Sequence, residues 1–92
     1  SAQIAEIKSK LPPDAKVLTT GQMRIHFIQR SADLMKAGKP FRSKYILTYL
    51  DDLHVDFEEN RTIYEQMKHD PAYETLFSHE ERGCNMILYK RK

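Results

Sequence analysis

Residues 43–53, Ser-Lys-Tyr-Ile-Leu-Thr-Tyr-Leu-Asp-Asp-Leu, govern how the rest of the chain is arranged. Tyr45, Ile46, Tyr49, Leu50 and Leu53 recur at spacings of three and four, which places them on one broad apolar face of a helix. Ser43 stands where its hydroxyl can accept a bond from a free N–H of the first turn. The pattern therefore predicts a core helix, Lys44 to Leu53.

Toward the N-terminus, the series Met23, Phe27, Ile28, Leu34, Met35 fits a helix that ends where Lys36 precedes Gly38 and Pro40. Met23, Ile25 and Phe27 also alternate as a strand would, but the run of helix formers from Gln22 to Ala37 favours the helix. Before it, Val17, Leu18 and two threonines make residues 16–20 a short strand. Ile4, Ile7 and Leu11 form a helical stripe closed by Pro12-Pro13.

Toward the C-terminus, Asp56 is placed to cap a helix whose first turn carries Glu58 and Glu59 and whose last turn carries Lys68 and His69. Its inward side is Phe57, Ile63, Tyr64 and Met67. Asp70-Pro71 reads as the start of a further short helix that buries Tyr73, Leu76 and Phe77 and ends at Gly83. Asn85 to Tyr89 reads as a strand whose partner is residues 16–20.

The expected architecture is α+β and mostly helical, a single domain over residues 1–92. It has four to five short helices and a small sheet joining residues 16–20 to 86–89. This order can be laid onto a winged-helix or related helix-turn-helix arrangement. Ile46, Tyr49, Leu50, Leu53, Phe57, Tyr64, Met67, Leu76, Phe77 and Leu88 are the expected core.

Composition narrows the function classes. Hydrophobic residues at 40% are too many for a disordered chain. No apolar run is long enough to span a bilayer, and Ser1 to Lys10 mixes Lys with Glu where a signal peptide would be apolar. Cys84 is the only cysteine, so neither an internal disulfide nor a multi-cysteine zinc site can form, and the cytoplasm or nucleus is the expected compartment. There is no phosphate-cradling glycine loop and no His-Glu-x-x-His segment. Asp52, His54 and Asp56 alternate as ligands on an extended segment would, with His79-Glu80-Glu81 as further donors, but a polar loop and a helix cap account for them. Cys84 has no nucleophile signature around it, and His26 reads as a packed ring with one wet edge. The expectation is no enzyme, no cofactor and no metal.

Charge is unevenly spread. Residues 1–50 carry a net +6, residues 51–89 a net −7, and Lys90-Arg91-Lys92 add +3 to reach the overall +2. Lys36, Lys39, Arg42 and Lys44 surround Phe41 at the entry to the predicted core helix, and Arg24 and Arg30 extend the patch. Cations beside a helix N-terminus suit phosphate groups. These seven residues are the candidate nucleic-acid contact of a small regulatory domain. The alternative is a protein-interaction module, an adaptor, inhibitor or subunit, that uses the acidic second half and touches no nucleic acid. Neither a membrane nor a small-molecule substrate is expected as a partner.

Overall fold

The structure, a computed structural model, describes residues 2–30, 33–36, 41–51 and 57–92. At its centre Tyr45–Leu50 is a strand, β3, and not a helix. Tyr45 and Leu47 are buried on one face, Ile46 and Leu50 on the other. A strand covered on both faces carries a near-continuous apolar run, and β-branched and aromatic residues such as Ile46, Thr48 and Tyr49 suit it.

The elements run α1 (Ala2–Ser9), β1 (Val17–Thr19), a 3-10 helix (Gly21–Arg30), β2 (Asp33–Leu34), β3, α2 (Phe57–Lys68), β4 (Tyr73–Glu81) and β5 (Cys84–Arg91). The mixed sheet has the order β2-β1-β3-β5-β4, in which β2 is two residues long. β1 lies parallel to β2 and β3, with Val17 beside Tyr45, while β5 runs antiparallel between β3 and β4.

Two apolar layers sandwich the sheet. Ile4, Ile7 and Leu11 from the α1 region, with Met23 and Phe27 from the 3-10 helix, cover Val17, Leu47, Met86 and Leu88. Ile63, Tyr64 and Met67 of α2 cover Ile46, Leu50, Ile87 and Tyr89 on the opposite face. The alternation along β3 and β5 thus sends successive side chains into different layers.

The mostly helical expectation is corrected: there are two α-helices among the described residues, and strands supply the frame. The winged-helix assignment falls with it. The helix expected after Asp70-Pro71 is β4, although the Asp70 side chain does take up a turn-forming role, accepting a bond from the Ala72 N–H at 2.9 Å. β5 does not pair with residues 16–20, because β3 lies between them. The helix expected to reach Gly38 is a 3-10 helix to Arg30, whose backbone leaves helical angles at Phe27 (φ −124°, ψ 16°). Phe27 is fully buried there, and the chain then returns to set Asp33 and Leu34 against β1.

Of the expected core, Ile46, Leu50, Tyr64, Met67 and Leu88 are buried, and Tyr49, Leu76 and Phe77 are half-buried against it. Leu53 and the Phe57 side chain lie outside the described residues. The α1 stripe, the strand at 17–19 and the inward face of α2 agree with the sequence reading.

Candidate functional site

The first candidate surface is the end of the sheet where β1 and β3 begin. Their parallel register places Lys16 and Lys44, each one residue before its strand, side by side. β5 returns to the same end with Lys90 opposite Tyr45. The Arg91 N–H donates to the Lys44 carbonyl at 2.7 Å, and its guanidinium Nη1 donates to the Arg42 carbonyl at 3.3 Å. The Tyr73 hydroxyl lies 2.7 Å from the Ser43 carbonyl and 3.2 Å from that of Phe41, between which its one proton is shared. Segment 41–44 is thereby fastened to β4 and β5, and Arg42, Lys44, Lys90, Arg91 and Lys92 converge. The terminal Lys-Arg-Lys is absent from the seven residues read from the sequence as the candidate contact, and it is antiparallel β5 that brings it back to residue 44.

The predicted phosphate contact does not assemble as expected. Lys44 precedes a strand, so no helix N-terminus adds its positive dipole there. Phe41 is half-buried against the α2-side core and is not an exposed platform. Arg24 is exposed on the 3-10 helix and Lys36 is exposed after β2, whereas Lys39 and the Arg30 side chain lie outside the described residues. Arg42 and Lys44 are exposed, and among the described residues neither forms an ion pair; Lys44 Nζ sits 5.7 Å from the centre of the Tyr45 ring. Asp51 follows the far end of β3, roughly 20 Å away at about 3.3 Å per residue. What remains is a cluster of cations at a sheet end. The description as a helical, DNA-binding domain is corrected accordingly: strands replace the helices, and nothing beyond charge speaks for nucleic acid.

The second surface is the outer edge of β4. This nine-residue strand is the last in the sheet and pairs only with β5 among the described residues. Gly83, at φ +82°, permits the tight turn that joins the two strands. A bulge between Thr75 and Phe77 shifts the register, so that Phe77 faces the α1 side while Tyr73 faces α2. An open groove runs between α1 and β4, with Gln3, Glu6 and Lys10 on one wall and Leu76, Phe77 and His79 on the other. His79 Nε2 lies 3.6 Å from Glu81 Oε2, and on the opposite face Lys68 Nζ pairs with Glu80 Oε2 at 3.2 Å.

Among the described residues, no cluster of catalytic groups gathers at either surface. Burial, then the carboxylates of Asp51 and Glu81, push the Cys84 thiol up, which disfavours a nucleophilic thiolate. His26 is exposed, contrary to the packed ring expected of it. No three His, Cys, Asp or Glu side chains among the described residues stand close enough to hold a metal, and Asp52, His54 and Asp56 lie outside those residues. None of the described helices is long and apolar enough to cross a membrane.

Beneath α2, burial and the nearby Glu80 raise the phenols of Tyr64 and Tyr89, the latter to about 12. A phenol raised in the folded state is neutral in both states below pH 10, so it does not alter stability there. Above pH 10 the unfolded chain ionises first, and stability falls until the folded phenol also titrates. Alkaline melts are therefore expected to lose temperature between pH 10 and 12, and Tyr89→Phe is expected to flatten that loss. A pH profile identical to that of the unchanged protein would contradict this.

Comparison of the chain with protein-family models, curated proteins and solved structures finds no match in any of the three.

Proposed function

We propose that this chain is a protein-interaction module, not an enzyme, that receives an extended segment of a partner protein along the outer edge of β4. The observation that carries this reading is a nine-residue strand at the sheet's edge, with an open, largely polar groove beside it into which Leu76 and Phe77 face. Along an edge strand, alternate residues turn their N–H and C=O groups outward, and those groups can be satisfied by an added strand. The length of β4 and the rigid backing of β5 supply the template. The overall charge of +2 is modest for a dedicated nucleic-acid binder, and the basic sheet end lacks the helix start that would favour phosphate. A single cysteine is compatible with a reducing compartment such as the cytoplasm or nucleus, and we take that as the module's setting.

Strand addition has a direct readout in hydrogen exchange. Alternate amides of residues 73–81 are expected to exchange freely in the isolated chain and to become protected when extended nine-residue peptides of varied charge are added. If none of the peptides changes exchange in β4, the reading fails. Salt-sensitive binding of an oligonucleotide without β4 protection would move the function to the sheet end built around Arg42 and Lys44.

A further inference from the structure

We infer that the basic sheet end is a second docking surface, independent of the edge of β4, and that its occupant is a short acidic segment of a partner protein.

The fold assembles this surface from three distant stretches of sequence. Parallel pairing of β1 with β3 sets Lys16 beside Lys44, and antiparallel β5 brings Lys90, Arg91 and Lys92 to the same end. Neighbouring strands lie about 4.8 Å apart, so the ends of β1, β3 and β5 spread these cations along a row about 10 Å wide. The backbone beneath them is fixed, because the Lys44 carbonyl accepts the Arg91 N–H and the Lys92 N–H donates to the Ala72 carbonyl at 2.9 Å. By bonding to the Arg42 carbonyl, the Arg91 guanidinium is also held beside a residue of its own sign.

Three carboxylates share this end. Glu74 is the register partner of Lys90, Asp14 lines a cleft with Lys16 and Lys44, and the Asp70 side chain accepts the Ala72 N–H. Among the described residues, none of the three forms an ion pair with Lys16, Arg42, Lys44, Lys90, Arg91 or Lys92. Six cations against three carboxylates leave a side-chain surplus of +3. Like charges gathered in this way repel one another in the free protein, and a partner of opposite sign turns that repulsion into attraction.

The arrangement also selects among anions. A row about 10 Å wide meets several separate charges, and every second side chain of an extended peptide, about 6.6 Å apart, supplies them at a matching spacing. Among the described residues at this end, no helix start offers its N–H groups to a phosphate. Phe41 is half-buried and Tyr45 and Tyr73 are buried, so no exposed ring is presented for a base to stack on. A long nucleic acid would moreover run beyond the row toward residues 51–89, whose net charge is −7, whereas a short run of Asp and Glu can end where the cations end.

The probe is a nine-residue peptide with blocked ends, alternating Glu and Gly, whose low strand propensity keeps it from adding to β4. An alternating Lys and Gly peptide is the control. The Glu/Gly peptide is expected to shift the amide resonances of residues 14–16, 42–45 and 90–92 and to leave those of residues 76–81 in place, while the control shifts none. Its affinity is expected to fall at least about tenfold as salt is raised from about 0.05 M to about 0.5 M. Lys16→Gln, Arg42→Gln and Lys44→Gln together, all at exposed positions, are expected to weaken binding at least about fivefold with amide resonances elsewhere unchanged. The charge-keeping set Lys16→Arg, Arg42→Lys and Lys44→Arg is expected to bind as the unchanged protein does.

Absence of these shifts at low salt, or undiminished affinity in the folded Gln variant, would overturn the site. Tighter binding of a single-stranded oligonucleotide of equal charge would overturn the acidic segment in favour of nucleic acid. Shifts at the same amides that grow with protein concentration alone would overturn it in favour of a second copy. Each of these outcomes leaves strand addition at β4 standing, because the amides of residues 76–81 report on it separately.

Discussion

Removing residues 85–92 is expected to abolish cooperative unfolding altogether. β5 lies between β3 and β4, so its loss leaves one edge of the central strand unpaired and β4 with no strand to pair with. It also removes Met86, Ile87, Leu88 and Tyr89, all buried, two into each apolar layer. At about 1.5–3 kcal/mol for each large side chain buried, those four contribute roughly 6–12 kcal/mol, comparable to the whole stability of a small domain. The shortened chain should melt without a sigmoidal transition and lose its near-ultraviolet circular dichroism. A sharp melt at the original temperature would show that β5 is not a central strand.

The sequence pattern misled where the sheet is covered on both faces. In Tyr45–Leu50, four consecutive buried residues satisfy the three-and-four spacing of a helix as readily as the two-residue spacing of a strand, because neither layer leaves a polar position to break the tie. The β-branched and aromatic content was the signal available there. Residues 73–81 hid their strand differently. The bulge turns Phe77 toward α1 after Tyr73 has faced α2, so Tyr73, Leu76 and Phe77 mimic helical spacing where an unbroken strand would alternate. By contrast, α1 and α2 each bury one stripe, and their patterns were readable at once. So was the strand read at Asn85 to Tyr89, which the structure extends to Cys84–Arg91 and whose partners depend on topology and not on its own residues.

The candidate surfaces show the same division. The cations around Arg42 were legible as composition, but their meeting with Lys90, Arg91 and Lys92 follows from an antiparallel return across the 45 residues between Lys44 and Lys90. The edge of β4 was invisible while residues 70–82 read as a helix. An open edge is a property of strand order, and strand order is written in long-range pairing.

Leu47→Ala separates the two readings of the central stretch in one measurement. On the helix read from Tyr45, Ile46, Tyr49, Leu50 and Leu53, Leu47 falls outside the apolar face, and a surface substitution of that kind changes stability by only about ±0.5 kcal/mol. In β3, Leu47 has no solvent exposure: it packs in the layer beneath α1 and the 3-10 helix, and pairs across the sheet with Leu88. Truncating a leucine so enclosed forfeits its transfer free energy and leaves a cavity, at a usual cost of about 2–5 kcal/mol. Because Leu88 on the adjacent strand and Val17 on β1 are themselves held in the sheet, they have little freedom to close that cavity, which favours the upper part of the range. Chemical denaturation should show the midpoint falling with the slope unchanged, as expected when native packing weakens and the unfolded chain does not change. A neutral Leu47→Ala would return residues 44–53 to a helix and dissolve the sheet on which both candidate surfaces depend.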